Sequence, residues 1–258
     1  MEIISDSLWN EIKDLIPAKK NSVGRPPVPA RKALNGIFYV LKTGCQWKML
    51  PREFGAPSTI HGKFRLWICM GIFEKIMQKA RGFYEQSLTQ PISWFAIDSS
   101  YSKAPLAKNW SGKNPTDRGK RGIKRNIIVD LNGAPLVVTV GAGNRHDSIF
   151  FYKTFKHLHI FNDEKIKIIA ADSAYDNNNL RRLCAAENFV LLAATNMRRN
   201  KNRQKYKPSF RWVIERTFGW LAWFRGLKIC WAKTETSYLA LLMFAASCQL
   251  FKMGGIFG

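Results

Sequence analysis

The chain has 258 residues in which 41 Lys and Arg stand against 18 Asp and Glu, a formal net charge of +23. With 46% hydrophobic and 13% aromatic residues there is enough apolar material for a core, which excludes a disordered basic tail, a collagen-like repeat and an acidic low-complexity chain. So large a charge speaks about partners rather than fold and favours nucleic acid or an anionic surface, while the length fits one large domain with a smaller companion.

The five cysteines, Cys45, Cys69, Cys184, Cys230 and Cys248, form no CxxC pair, and the opening MEIISDSLWNEIK is not a cationic, apolar leader. A reduced, cytoplasmic compartment is therefore expected. The longest uncharged run, Thr236 to Phe251, is shorter than the roughly 20 apolar residues a membrane span needs, so it reads as a buried helix and no membrane partner is expected.

Residues 1–90 read as a helical module. Asp6 or Ser7 is the expected N-cap ahead of Leu8, Ile12, Leu15 and Ile16, with Pro17 as the stop. After a GRPPVP loop, Leu34, Ile37, Phe38 and Leu41 repeat at helical spacing and Gly44 stands where a C′ glycine belongs. Ser58 is the expected cap of a third helix carrying Phe64 and Trp67, and Gly71 separates it from a fourth. The basic residues here, among them Arg31, Lys32, Lys42, Lys48, Arg52, Lys63 and Arg65, admit a helix-turn-helix-like module with one helix in a DNA groove, or a helical cap with a solvated basic face.

Residues 91–258 change period. SWFAIDSS, KRNIIVDLNG, APLVVTVGAG, KIKIIAADS and FVLLAAT read as five short strands, and Leu131-Asn132-Gly133-Ala134 is a hairpin signal between the second and third. Helical stretches follow at Asp147 to Leu158 and Asn177 to Glu187, with a long helix from about Ser209 to Gly226. The order βββαβαβα describes an α/β fold, a mixed five-stranded sheet with helices on both faces.

Three acids are hard to explain as solvated charge. Asp98 ends the run Trp94 to Ile97 and Asp172 ends the run Ile166 to Ala171, so each is expected at the C-terminal tip of a buried strand, where clefts form. Glu215 lies among Val213, Ile214 and Phe218 on a helix that needs an apolar face. Hard divalent cations such as Mg²⁺ take carboxylate oxygens together with phosphate oxygens, and two such ions can serve phosphodiester cleavage or strand transfer. The plainer alternatives are a turn or N-cap role for each aspartate and an ion pair of Glu215 with Arg211 on the same helical face. His146 is read as a turn residue beside an N-cap Asp147, His157 and His159 as structural, and Trp47, Trp67, Trp212, Trp220 and Trp223 as core.

Taken together these segments resemble the DDE transposases of bacterial insertion sequences, in the IS-five-type group, over nearly the whole chain. GRPPV, LNGIFYVLKTGCQWKMLPREFG and STIHGKFRLW are similar to the group's pre-catalytic region. Asp98-Ser99-Ser100 with Lys103-Ala104 is similar to the segment of the first catalytic aspartate. Asn144-Arg145-His146-Asp147-Ser148 is similar to a motif ahead of the second, and Ala171-Asp172-Ser173-Ala174-Tyr175-Asp176 to the second aspartate itself. Arg211-Trp212-Val213-Ile214-Glu215-Arg216-Thr217-Phe218 matches the segment with the glutamate that completes the triad. Departures are Pro208 and Ala222, where the family signature has a tyrosine and a lysine, with Tyr206 and Arg225 close by as substitutes, and Ala174 in place of a common glycine. The resemblance implies an RNase H-like fold, Asp98, Asp172 and Glu215 as catalytic residues and metal ligands, two Mg²⁺ ions for which Mn²⁺ substitutes, and a homodimer on double-stranded DNA of transposon ends and target. It further implies location with the nucleoid when DNA is bound.

Two basic segments flank the acids. Lys103, Lys108, Lys113, Arg118, Lys120, Arg121, Lys124 and Arg125 surround the single acid Asp117, and Arg198, Arg199, Lys201, Arg203, Lys205, Lys207 and Arg211 precede Glu215 without an acid. With Arg225 they are the expected phosphate contacts. The leading reading is a transposase that cleaves transposon ends and joins the freed 3′-hydroxyl to target DNA. An RNase H-like nuclease without joining and a catalytically inactive DNA-binding derivative stay open beside it. If these segments track a DNA backbone through six to ten phosphates, affinity falls roughly 10³- to 10⁵-fold between 50 and 200 mM salt. A flat plot of log K against log salt, measured by gel shift, would remove them from the interface.

Overall fold

A computed structural model of the protein describes residues 4–17, 26–114, 118–161, 165–197, 206 and 212–256. The first helix, α1 (Asp6–Ile12), is capped by Ser5, whose Oγ accepts from the Leu8 amide at 3.3 Å. This corrects the expected Asp6 or Ser7. Ser5 is the residue whose backbone is still extended, as an N-cap must be, and Asp6 is instead paired with Arg31 at 2.6 Å.

Helix α2 (Ala30–Thr43) buries Leu34, Ile37, Val40 and Leu41 and ends, as expected, on Gly44 in the left-handed region (φ 70°). A Cβ there would lie 3.0 Å from the Arg225 backbone, so both the turn and the close approach require glycine. Helix α3 (Pro57–Cys69) starts with Pro57 behind an extended Ala56, which is the cap two residues ahead of the expected Ser58. Proline's missing N–H has no partner to lose in a first turn. Gly71 (φ 65°) then breaks the chain into α4 (Ile72–Gln86).

All five expected strands form: β1 (Trp94–Lys103), β3 (Arg121–Asp130), β4 (Pro135–Ala142), β5 (Lys167–Ala171) and β6 (Phe189–Ala193). A sixth, β2 (Gly112–Lys113), is two residues long, too short to form a β-rich run, and was not legible. β3 and β4 close on the Leu131 to Ala134 turn, with Gly133 at φ 82°. β1 lies antiparallel to β3 and parallel to β5, and β6 is parallel to β5. The order β4-β3-β1-β5-β6, with β2 beside β3, is a mixed sheet flanked by helices.

Helix α5 (Asp147–Phe155) packs on β3 and β4, α6 (Asn178–Ala186) on β6, and α7 (Trp212–Ala222) on β1 and β3. The long helix expected to Gly226 stops at Ala222. Trp223 and Phe224 turn back on Trp220 and Leu221, after which α8 (Arg225–Lys228) packs against α2. Because α7 buries Val213, Ile214, Thr217 and Leu221, Trp212 and Trp223 fall outside that face and are 54% and 74% exposed, which corrects their expected place in the core. Trp212 and Trp220 instead stack on the Arg216 guanidinium, each at 4.8 Å.

The last helix, α9 (Glu235–Met253), is buried on nearly every side between α4 and β4. Phe244 meets both Phe38 of α2 and Phe73 of α4 at 5.8 Å. The N-terminal helices and the sheet thereby share one continuous apolar cluster running from Ile4 to Phe251. No helix among the described residues is long and apolar enough to cross a membrane. A polar lock adds to the seam: Tyr84 of α4 donates to Asp130 Oδ2 at 2.5 Å, while the amides of Asn132 and Ala134 donate to Oδ1. Burial raises the Asp130 carboxyl above its ordinary value, and these hydrogen bonds oppose that shift.

Truncating Phe244 to Ala removes the ring that joins the two halves and is predicted to cost about 3–5 kcal/mol. Urea titrations followed by far-UV circular dichroism and by tryptophan fluorescence should fall together, because the shared core makes one cooperative unit. Two separated transitions would contradict the shared core.

Candidate functional site

The site is built on the strand pair β1 and β5. Their parallel register sets Trp94 opposite Ile168, Phe95 opposite Ile169 and Ala96 opposite Ala170. Carried two residues further, the same register brings Asp98 level with Asp172 and on the same face, since side chains alternate and level residues of neighbouring strands point the same way. Asp172 keeps an extended backbone (φ −81°, ψ −178°) beyond the end of β5.

Asp172 stands at its strand end as expected, but Asp98 does not. β1 continues for five residues beyond it to Lys103, held by its antiparallel ladder with β3. The parallel ladder with β5 stops at Ala96, so the cleft opens at the middle of β1, where its second neighbour leaves it.

The two plainer roles are visible as well. Asp172 Oδ1 caps the short turn Ser173–Tyr175 by accepting from the Ala174 amide at 2.8 Å, and Asp98 Oδ1 accepts from the Ser99 amide at 2.7 Å. Asp172 Oδ2 takes no hydrogen bond among the described residues. Asp176 then fixes the loop, taking Arg181 Nη2 at 2.8 Å and the Asn196 amide at 3.0 Å.

Alternation assigns the faces of β1. Ser100 Oγ accepts from Arg125 Nη2 at 2.8 Å, the Arg125 guanidinium lies 5.9 Å from the Phe218 ring of α7, and Ser102 Oγ donates to Leu227 O of α8. Asp98 shares that α7 side. Ser99 points to the other side, where its Oγ donates to Asp147 Oδ1 at 2.6 Å.

Asp147 is the member that residue-by-residue reading missed. Its expected N-cap role belongs to His146, whose Nδ1 accepts from the Ser148 amide at 3.2 Å. The Asp147 carboxylate is thus available to take Lys124 Nζ at 2.7 Å together with Ser99. Tyr175 lies beneath, buried against Phe151, and its hydroxyl is near Ser99 without reaching hydrogen-bond geometry. Burial, with Asp147, Asp98 and Asp172 adding, raises its phenol well above the ordinary value. One tyrosine thus senses all three aspartates. The signal for Asp147 was the quoted Asn144 to Ser148 motif, whose meaning required its tertiary partners.

Glu215 is not drawn into the same cluster. It is exposed on α7, because the helix turns Val213, Ile214, Thr217 and Leu221 inward, and this corrects its expected core-facing position. Among the described residues no group of three His, Cys, Asp or Glu adopts metal-holding geometry. Asp98 and Asp172 still supply the hard oxygen donors that Mg²⁺ takes when it is bound through one or two carboxylates plus phosphate oxygens, so the pair fits a divalent ion in that mode.

The basic residues divide into two groups. Lys103, Lys108, Lys113, Arg118, Lys120, Arg121 and Arg225 are exposed. Arg125 is only 6% exposed, with its fork spent on Ser100 and Leu227 O, so its expected contact with phosphate is corrected to a role inside the protein. Lys124 is tied to Asp147. Arg198, Arg199, Lys201, Arg203 and Arg211, like Pro208, lie outside the described residues.

Comparison with known proteins bears on this arrangement. A family profile described as "Putative transposase of IS4/5 family" matches residues 4–77, and one described as "Transposase DDE domain" matches residues 89–249. The chain is 35% identical over 119 residues to the "Insertion element IS402 uncharacterized 16.2 kDa protein" of Burkholderia cepacia, covering 44% of this chain and 81% of that one. It is 30% identical over 141 residues to the "Putative transposase for insertion sequence element IS402" of the same organism, covering 52% and 64%. Of solved structures, the piggyBac transposase synaptic complex with hairpin DNA aligns with 97% of this chain and 72% of its own, at 12% identity and a TM-score of 0.43.

The Lys124–Asp147 pair is largely shielded, with side-chain exposures of 19% and 23%. A double-mutant cycle with Lys124→Met and Asp147→Asn, read by urea unfolding, should give a coupling of about 1 kcal/mol. Strict additivity of the two losses would show that the contact contributes nothing.

Proposed function

The chain belongs to the DDE transposases of insertion sequences, and from that premise we propose that it binds transposon-end DNA and catalyses divalent-metal-dependent cleavage and strand transfer, with Asp98, Asp172 and Glu215 as the catalytic carboxylates. The observation that carries the reading is the β1–β5 register, which levels Asp98 with Asp172 on the side facing α7. Glu215 precedes Phe218 by about one turn of that helix. It is the third carboxylate in this reading.

Divalent cations held by these carboxylates, Mg²⁺ or Mn²⁺, would supply Lewis-acid stabilisation of the attacking and leaving oxygens. The protein's own groups do the rest. Asp98 and Asp172 fix the negative charge that selects cations. Asp147 and Ser99 brace the strand beneath them, and Lys124 is held by Asp147 at the edge of the same group. The exposed cations from Lys103 to Arg121, with Arg225 and the segment from Arg198 to Arg211, attract and orient the phosphate backbone. In this reading two copies of the chain act on paired ends.

A second reading has one observation in its favour, the lack of a three-acid group among the described residues: a DNA-binding derivative that has lost catalysis. Both are tested by incubating a labelled transposon-terminus duplex with Mg²⁺ or Mn²⁺ beside a gel-shift titration. The transposase reading predicts end cleavage and joined products, with Asp98→Asn, Asp172→Asn and Glu215→Gln each lowering cleavage at least about 100-fold while retaining DNA affinity. Binding without cleavage by the wild-type protein would establish the second reading, and cleavage by the variants at wild-type rates would show the carboxylates to be structural.

A further inference from the structure

A cavity of about 760 Å³ lies away from the carboxylates, between the C-terminal end of α2, the Trp47–Met49 turn, α3 and the segment leading into α9. Its walls are aromatic, with Trp47, Phe64, Trp231 and Tyr238 among the lining residues, and its charged members are Lys48, Arg65 and Lys233. Among the described residues, no Asp or Glu lines it.

The construction is firm on one side and open on the other. Trp47 packs at 5.1 Å on Phe64 and 4.8 Å on His61. Gly226 completes the floor, where a Cβ would meet Leu41 O at 2.9 Å. Trp231, by contrast, is 55% exposed and Lys48, Arg65 and Lys233 are exposed beside it. Burial, reinforced by Arg65, lowers the His61 imidazole below its ordinary value, so this ring stays neutral at neutral pH and the positive charge is confined to the lysines and arginine.

An apolar aromatic wall edged only by cations matches a nucleotide: the base stacks and the phosphate pairs. A second copy of this chain is a poor occupant, because each copy carries +23 and the edge is itself basic, so the like charges repel. The volume falls within the roughly 300–1,000 Å³ of small-ligand pockets.

The groove is also joined to the site. Leu106, which lines it, follows β1 closely, and the end of β1 is stitched to the next wall by Cys230 N donating to Lys103 O at 2.8 Å. Asp98 and Lys103 are five residues apart on one strand, about 16 Å, and Lys103 and Lys108 are exposed along the way. A DNA strand leaving the carboxylates over these lysines reaches the cavity within a few nucleotides.

We infer that this groove holds an unstacked base of single-stranded DNA adjoining the duplex end, with the base against Trp47 and Trp231 and its phosphate against Lys48, Arg65 and Lys233. The inference rests on the reading that DNA is the substrate, and it adds a subsite outside the catalytic carboxylates.

The test compares two probes, a blunt duplex and the same duplex with an oligothymidine overhang, by fluorescence anisotropy with the wild-type chain, Trp231→Ala and Trp231→Phe. Trp231 is exposed, so neither variant should unfold the protein. The wild type should favour the overhang duplex by about 5- to 150-fold, the range of one stacked base. Trp231→Ala should erase that preference without changing affinity for the blunt duplex, and Trp231→Phe should keep most of it. Blunt-duplex binding with no overhang preference, or with a preference that survives Trp231→Ala, overturns the groove assignment and leaves the DNA reading standing. Binding of neither probe overturns both. Sedimentation of the same variants covers the remaining occupant: a Trp231→Ala chain that loses self-association while its overhang preference persists would assign the groove to a second copy and overturn the proposal.

Discussion

Strand β1 belongs to two ladders of different length, and the site depends on the difference. Its antiparallel ladder with β3 runs the full distance to Lys103, while its parallel ladder with β5 ends at Ala96. Past that point β1 is paired with β3 on one side and, among the described residues, meets no strand on the other until the isolated bridge of Lys103 to Ile229 at its far end. The open side is where Asp98 comes level with Asp172 and where the chain leaving β5 turns through Ser173–Tyr175. Parallel pairing is essential, because an antiparallel β5 would carry its end, and Asp172 with it, to the opposite edge of the sheet. The crossover through α5 and the following turn supplies that pairing, as parallel neighbours require a long connection.

Around this seam the protein spends much of its polar chemistry on itself. Arg125 is buried and ties Ser100 to α8, Lys124 answers Asp147, and Lys153 pairs with Glu235 at 2.8 Å. The net charge of +23 is therefore not evenly available to a ligand. Among the described residues, exposed cations from Lys103 to Arg121 and at Arg225 follow or adjoin the end of β1, and others such as Lys48, Arg65 and Lys233 lie exposed elsewhere. The three most buried thiols, Cys184, Cys230 and Cys248, are pushed up to about 12 by burial and act as small apolar packing rather than as nucleophiles.

Much of the architecture was legible because it is written in local patterns. Short β-rich runs marked the five longer strands, Asn132-Gly133 marked the hairpin, and Gly44 and Gly71 marked helix boundaries where only a left-handed residue fits. Where the reading failed, the deciding contact lay elsewhere in the chain. Ser5, Ala56 and His146 are caps because their backbones remain extended, which neighbouring side chains do not announce. The length of β1 is set by β3, so Asp98 looked terminal when its hydrophobic run ended and was not. Trp212 and Trp223 are apolar by composition but fall off the inward face of α7. Of the site itself, the two aspartates were readable from their strands. Asp147 and Tyr175 joined only through tertiary packing, and the outward place of Glu215 followed from which side of α7 meets the sheet.

The central claim is that Asp98 and Asp172 form one cation-binding edge across β1 and β5. Its most direct measurement replaces Mg²⁺ with Fe²⁺ in the DNA-bound protein and maps the cuts that ascorbate and peroxide generate in the polypeptide around the bound ion. The account predicts two cut sites from one ion location, at residues flanking Asp98 and at residues flanking Asp172, with both lost together in Asp98→Asn. Cutting beside only one of the two aspartates, or at both in the variant as in the wild type, would contradict it.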